Sequence, residues 1–210
     1  MTNILFIGNS FTARNNVPQL IVDLAAERGH CVQFDLIQAG GASLRMHWNK
    51  GAAQMAMKKM RYDWVVLQEQ STLPVKNAGR MRENIELFVE PVAASGAKLA
   101  LYLTWARKNA PASQQAITNA YTSIGKQIGA TVIPAGVAWE TFLAQHDKPV
   151  LYDKDLSHPT LAGSYLAACV FLAKLFNENA TGVETELKGV TAAQRLTLQK
   201  AAWTVGKKVG

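Results

Sequence analysis

Ser10 stands just past the glycine break Gly8-Asn9 that ends the apolar run Ile4-Leu5-Phe6-Ile7, and far down the chain Asp155-Leu156-Ser157-His158 sets a carboxylate three residues before an imidazole. A serine hydroxyl becomes a nucleophile when an imidazole within hydrogen-bond reach takes its proton. A carboxylate on the other ring nitrogen fixes the tautomer and steadies the imidazolium. One turn is enough to hold Asp155 against His158. Each piece alone has an ordinary reading as well: Asp155 as an N-terminal charge for a helix starting at Pro159, His158 as a loop residue. The chemistry depends on whether the intervening elements bring the two ends of the chain together.

Those elements read as alternating strands and helices. After the Ser10 turn, Val17, Leu20, Ile21, Leu24 and Ala25 recur at helical spacing up to Gly29. The stretch from Cys31 to Ala39 reads as a strand halted by Gly40-Gly41, 51–60 as a helix, and Trp64-Val65-Val66-Leu67 as an apolar strand of the kind buried on both faces. A helix over 84–94, which Pro91 should kink or break, precedes a strand over 98–104. A helix over 113–128, a short strand at 131–133 and helices over 137–145, 161–176 and 192–205 complete the pattern, the last with Thr191 as its cap. Such alternation implies a single α/β domain over 1–210: a three-layer α/β/α sandwich on a five-stranded parallel sheet with right-handed crossovers. A flavodoxin-like strand order 2-1-3-4-5 would gather the ends of the first three strands around Ser10, at the edge where open α/β sheets bind ligands.

Composition narrows the function. At 210 residues the chain can bury a large core without disulfides or metal. It is 49% hydrophobic and 18% charged, and no apolar run approaches the roughly 20 residues of a membrane span, so no membrane insertion is expected. The +7 net charge is dispersed in short pairs such as Lys58-Lys59 and never alternates with aromatics as a nucleic-acid platform would, so no nucleic-acid partner is expected. Cys31 and Cys169 lie far apart in apolar surroundings and read as buried thiols. No His, Cys or carboxylate cluster has metal spacing, and Gly40-Gly41 lacks either nucleotide-binding fingerprint, so neither metal nor cofactor is expected. With no signal-like start, a cytoplasmic protein is the simple inference, although a form with its signal removed would read the same.

The blocks together resemble the SGNH (GDSL-like) hydrolases. Gly8-Asn9-Ser10-Phe11 is similar to that family's first block and Asp155-x-x-His158 to its last, with Gly40-Gly41 where the second block supplies a backbone donor. The resemblance implies that Ser10 attacks an ester carbonyl, that His158 acts as general base and then acid, and that Asp155 orients it. It also implies an oxyanion hole made by the backbone N–H groups of Ser10 and Gly41, completed by a side-chain amide. Gly41 is preferred over Gly40 because it stands two residues before Ser43. The chain departs from the family at the amide: no asparagine follows the third strand, which ends Leu67-Gln68-Glu69-Gln70-Ser71. That stretch is similar to the turn of the sialate O-acetylesterase and acetylxylan esterase branch, in which glutamine takes the asparagine role. This favours Gln68, with Gln70 the alternative.

His47, Trp48 and Trp105 are expected to wall a substrate pocket, or else to be packed residues with satisfied polar atoms. Loops at 73–80 and 144–154 are rim candidates, and His30 and His146 read as surface or helix-end histidines. By resemblance the function is a serine esterase releasing small acyl, above all O-acetyl, groups from carbohydrate. A thioesterase or lysophospholipase-like acyl hydrolase on the same residues is the alternative, and a catalytically silent binding module of the same fold the rival from another class. The partner expected is a small ester, and the oligomeric state is not legible.

Overall fold

The computed structural model describes residues 1–207. Five strands, β1 (Thr2–Gly8), β2 (Val32–Gln38), β3 (Trp64–Leu67), β4 (Lys98–Tyr102) and β5 (Thr131–Ile133), form one parallel sheet in the order β2-β1-β3-β4-β5. This is the α/β sandwich that the alternating pattern predicts, and the strand order is the expected one that gathers the ends of the first three strands around Ser10. The apolar strands alternate sides rather than polarity. Ile4 and Phe6 of β1 join Val66, Ala100 and Tyr102 in one core, whereas Leu5 and Ile7 join Val65, Leu67 and Leu101 in the other. Burial on both faces is the reason these segments read as continuous apolar runs.

Helices α1 (Ser10–Ala13) and α2 (Val17–Ala26) follow β1, α3 (Leu44–Lys50) and α4 (Ala52–Lys59) follow β2, and α5 (Leu73–Lys76) and α6 (Ala78–Ala94) follow β3. Then come α7 (Gln114–Ile128) before β5, and α8 (Ala135–Leu143), α9 (Leu161–Phe176) and α10 (Ala192–Gly206) after it. One layer holds α2, α8, α9 and α10, and the other α3, α4, α6 and α7. Twelve of the sixteen residues of α9 are buried, so it is apolar all round because it lies between the sheet and α10. Thr191 and Gln194 close a capping box at the start of α10.

The structure differs from the sequence reading in four places. A helix, α3, fills 44–50, started by the Ser43 side chain and separated from α4 by Gly51 at φ 75°. Helix α6 begins at Ala78 rather than Asn84, because Asn77 caps it, and it runs on through Pro91 to Ala94. The expected rim segment 73–80 is made of the short helix α5, Asn77 and the first residues of α6. Cys31 is exposed, just ahead of edge strand β2, while Cys169 is buried as expected. Among the described residues no helix is long and apolar enough to cross a membrane.

The register brings the strand ends level. Ile7 pairs with both Ile37 and Leu67, Leu67 pairs with Leu101, and Gln68 N–H donates to Ile7 C=O at 2.9 Å. The loops after β1, β2, β3 and β4 therefore open on one edge of the sheet.

Candidate active site

The loop after β1 is built by Asn9. Its side-chain oxygen accepts from Phe11 N–H at 3.1 Å and starts α1, its amide nitrogen donates to Ala42 C=O at 3.1 Å, and its backbone N–H donates to Gln68 Oε1 at 2.9 Å. One buried asparagine thus ties the first three strand-end loops together. Ser10 follows it at the first position of α1, half-buried, and its backbone N–H has no hydrogen-bond partner among the described residues.

His158 reaches Ser10 from a hairpin-like loop in which Tyr152 bridges Pro159. Leu156 at its tip takes a left-handed conformation, φ 60°, which folds Asp155 back onto His158. The loop is fastened on two sides. Arg14 pairs with Asp153, and Asn15 donates to Pro159 C=O at 3.2 Å and Ser164 Oγ at 2.9 Å. On the other side, Trp105 Nε1–H donates to Ser157 C=O at 3.0 Å, Lys108 N–H to Leu156 C=O at 2.9 Å, and Tyr152 O–H to Ala106 C=O at 2.8 Å.

Ser10 Oγ lies 2.8 Å from His158 Nε2, and Asp155 accepts from His158 Nδ1 on the opposite side of the ring. The carboxylate also accepts from the backbone N–H of Ser157 at 3.0 Å and of His158 at 2.9 Å. These donors, the imidazole first, hold the Asp155 carboxyl well below the usual carboxylate range. An ionised Asp155 keeps the proton on Nδ1, which leaves Nε2 free to accept from the Ser10 hydroxyl.

The two glutamines after β3 have different surroundings. Gln68 is 1% exposed, its oxygen accepts from Asn9 N–H at 2.9 Å and Thr12 O–H at 3.1 Å, and its nitrogen donates to Glu69 C=O. It braces the Ser10 turn from below. Gln70 is half-buried and uses only its oxygen, on Thr72 N–H at 2.9 Å and Thr72 O–H at 3.0 Å. Its amide nitrogen has no hydrogen-bond partner among the described residues, and Gln70 is one of the residues that line a groove of about 360 Å³. Of the two glutamines, the expected Gln68 has its amide N–H engaged and the alternative Gln70 has it free. Gly41 sits in the exposed turn after β2 at φ 66°, and neither its N–H nor that of Gly40 has a partner among the described residues.

Glu69, between the glutamines, is fully buried. Its Oε1 accepts from Leu44 N–H at 3.0 Å and Gln70 N–H at 2.6 Å, and its Oε2 accepts from Asn84 Nδ2 at 2.7 Å, while Asn84 Oδ1 accepts from Arg45 Nε at 3.2 Å. Burial pushes its carboxyl above the usual range, opposed by those donors and by the Arg45 charge. Sequence reasoning assigned Glu69 no role.

The expected pocket walls are packed side chains. His47 is 2% exposed and donates Nε2–H to Gly8 C=O at 2.7 Å; burial, with the nearby Lys50 charge, lowers its pKa, against the pull of the Gly8 bond. Trp48 packs edge-on against Phe88 in the layer of α3 and α6. Trp105 is buried between Phe11 and Trp139, its ring 3.8 Å from that of Trp139. His47 and Trp105 brace the site loops through these bonds, and Trp48 is half-buried. His30 is half-buried against Phe176 and pairs with Glu178, and His146 is exposed. Among the described residues no three potential ligands gather into a metal site.

No family model and no curated protein matches the sequence. Solved structures do match the fold. A DUF4886 family protein from Bacteroides uniformis superposes with a TM-score of 0.81 at 19% identity, over 97% of this chain and 93% of that one. A candidate SGNH hydrolase from Slackia heliotrinireducens gives 0.73 at 24% identity, over 83% and 98%. An acetylxylan esterase from Geobacillus stearothermophilus gives 0.66 at 15%, over 81% and 92%. The chain shares the fold of these structures. At these identities the likeness speaks for the architecture, and the side chains must carry the chemistry.

Proposed function

We propose that the protein is a serine esterase that cleaves small acyl esters through an acyl-enzyme, with O-acetyl groups on carbohydrate as its substrates. The observation that carries the reading is the hydrogen-bonded series Ser10–His158–Asp155 at the open edge of the sheet. Ser10 Oγ attacks the ester carbonyl as its proton passes to His158 Nε2, and ionised Asp155 stabilises the imidazolium. The carbonyl oxygen, now an oxyanion, takes hydrogen bonds from the unpartnered N–H groups of Ser10 and Gly41 and from Gln70 Nε2. Collapse breaks the carbon–oxygen bond to the alcohol, whose oxygen receives the proton from His158. Water, deprotonated by the same imidazole, then releases the acid and restores Ser10.

Two features support a small acyl group and a carbohydrate ester. The large aromatics near Ser10 are packed against one another, so they form a floor rather than a long acyl channel. An acetylxylan esterase also stands among the proteins of this fold.

The test is hydrolysis of p-nitrophenyl acetate and longer homologues by the wild type, Ser10→Ala and His158→Ala, with mass spectrometry after exposure to an arylphosphonate. The expected result is turnover that falls steeply beyond short acyl chains, is lost by roughly 10⁴-fold or more in both variants, and stops when one phosphonyl group is bound at Ser10. Turnover indifferent to Ser10→Ala would remove the nucleophile. Rates that climb with chain length would replace the acetyl reading with a long-chain acyl hydrolase.

A further inference from the structure

The groove beside Gln70 has a composition that the esterase chemistry leaves unexplained. It is lined by Ser71, Thr72, Val75 and Lys76 from the loop after β3 and α5, and by Ala106, Arg107, Ala110, Ser113 and Ile117 across from them. Its volume, about 360 Å³, lies within the range of small-molecule sites. The only charged residues on its walls are Lys76 and Arg107. Neither side chain has an ion-pair or hydrogen-bond partner among the described residues.

The groove is also mechanically part of the site. Gln70, two residues past the Gln68 that bonds the Ser10 turn, lines it. The segment that supplies Ala106 and Arg107 to its opposite wall is bonded to the loop that carries Asp155 and His158 through the Ala106 carbonyl and the Lys108 N–H. A substrate whose oxyanion meets the Gln70 amide has its larger part next to this groove.

We infer that the groove receives the alcohol portion of the ester, and that this portion carries an anionic group held by Arg107 and Lys76. The inference rests on the esterase reading for its orientation, because a small acyl group leaves the alcohol as the part that needs room. Two cations on facing walls of one groove, with no acid among its lining residues, raise the local concentration of an anion and hold it against exchange with water. Hydroxyls of Ser71, Thr72 and Ser113 line the same groove and suit a polar alcohol. Both cations are solvent-exposed, so their hold is modest and weakens with salt.

The test compares 4-acetoxybenzoate with 4-acetoxybenzamide, which differ in charge but hardly in shape. The two esters differ in intrinsic reactivity, so the readout is the change in the ratio of their kcat/KM values between proteins. Substituting Arg107→Gln and Lys76→Gln together should lower the anion-to-neutral ratio by about five- to tenfold at low salt, through KM rather than kcat. In 0.5 M salt the wild-type ratio should fall toward that of the double variant. Lys126→Gln, an exposed charge on α7 outside the groove, is the control for overall charge and should leave the ratio where it was.

A ratio unmoved by the double variant overturns the inference, and so does an equal drop with Lys126→Gln. If neither ester is turned over, the esterase reading fails, and binding decides the groove separately. Ser10→Ala is then titrated with 4-hydroxybenzoate and 4-hydroxybenzamide, followed by isothermal calorimetry. A preference for the anion that the Arg107 and Lys76 substitutions remove sustains the anionic subsite, and no preference refutes it.

Discussion

Replacing Glu69 by glutamine is nearly isosteric, yet the surroundings predict a large cost. The Glu69 carboxylate faces donors on every side: Leu44 N–H and Gln70 N–H at one oxygen and Asn84 Nδ2 at the other. A glutamine there can satisfy the first two with its oxygen, but its own NH₂ then points at the NH₂ of Asn84. Turning the Asn84 amide over moves the conflict outward, since its oxygen now accepts from Arg45 and its nitrogen would face the guanidinium. One donor in a fully buried place is left without an acceptor in either arrangement. Losing a hydrogen bond to a charged group and stranding a buried donor together cost about 2–4 kcal/mol. In a chain of this size that lowers the thermal midpoint by roughly 5–15 °C. Urea unfolding at pH 7 measures the difference directly, and Glu69→Ala, which also leaves a hole, should be worse. Activity should fall with Glu69→Gln even where the protein remains folded, because the carboxylate holds both the start of α3, just past Gly41, and the backbone of Gln70. A Glu69→Gln protein within 0.5 kcal/mol of wild type would refute the reasoning. It would mean that Glu69 is protonated at neutral pH and already donates to one of its neighbours.

Three further outcomes follow from the same geometry. Gln70→Ala should lower kcat on p-nitrophenyl acetate by about 10²–10³-fold with little change in urea midpoint, whereas Gln68→Ala should unfold more easily because it strands the Asn9 N–H; a reversal would return the oxyanion role to Gln68. Gly8→Ala should lose stability by about 1–3 kcal/mol, since the added methyl would sit 2.7 Å from Thr12 Oγ1 and 2.8 Å from Gln68 Oε1. His47 has a pKa below 6.5 in the fold, so between that value and 6.5 the unfolded chain binds the extra proton and stability rises with pH. Denaturant midpoints should therefore drop as pH falls from 7 toward 5, and His47→Gln, which can still donate to Gly8 C=O, should flatten that slope.

The fold was legible because its central strands are buried on both faces and its helices are long enough to show a period. β1 and β3 announce themselves as apolar runs, and the glycines and polar bursts that follow them mark the functional edge. The segments misread are those in which a cap, rather than periodicity, sets the boundary. Helix α3 spans two turns between Gly41 and Gly51, too few for a repeat, and its sign in the sequence is Ser43, whose side chain accepts from Met46 N–H. Helix α6 opens on Ala78-Gly79-Arg80 with no apolar residue, and its sign is Asn77.

The candidate site was legible to a different depth. Ser10, Asp155 and His158 could be picked out because each must be a particular residue type, and the latter two must lie within one turn. A polar residue beyond a strand end, by contrast, does not reveal whether it turns outward to a ligand or inward to brace a loop. Gln68 and Gln70 differ by two positions and share a side chain, yet one is spent on Asn9, Thr12 and Glu69 and the other, bonded to Thr72 through its oxygen, keeps its amide N–H free. The same ambiguity hid Glu69, Asn84 and His47. These side chains, with Asn9 and Gln68, are each no more than 2% exposed and join the loops after β1, β2 and β3 to one another and to α6. Donors fixed in this way need no rearrangement when charge develops on a substrate oxygen, which is where preorganised dipoles do most for a rate. A buried polar layer costs desolvation and is retained when each group in it is satisfied. Here it lies directly under the serine turn, so the order of the reactive loops comes from the polar side chains that never meet substrate.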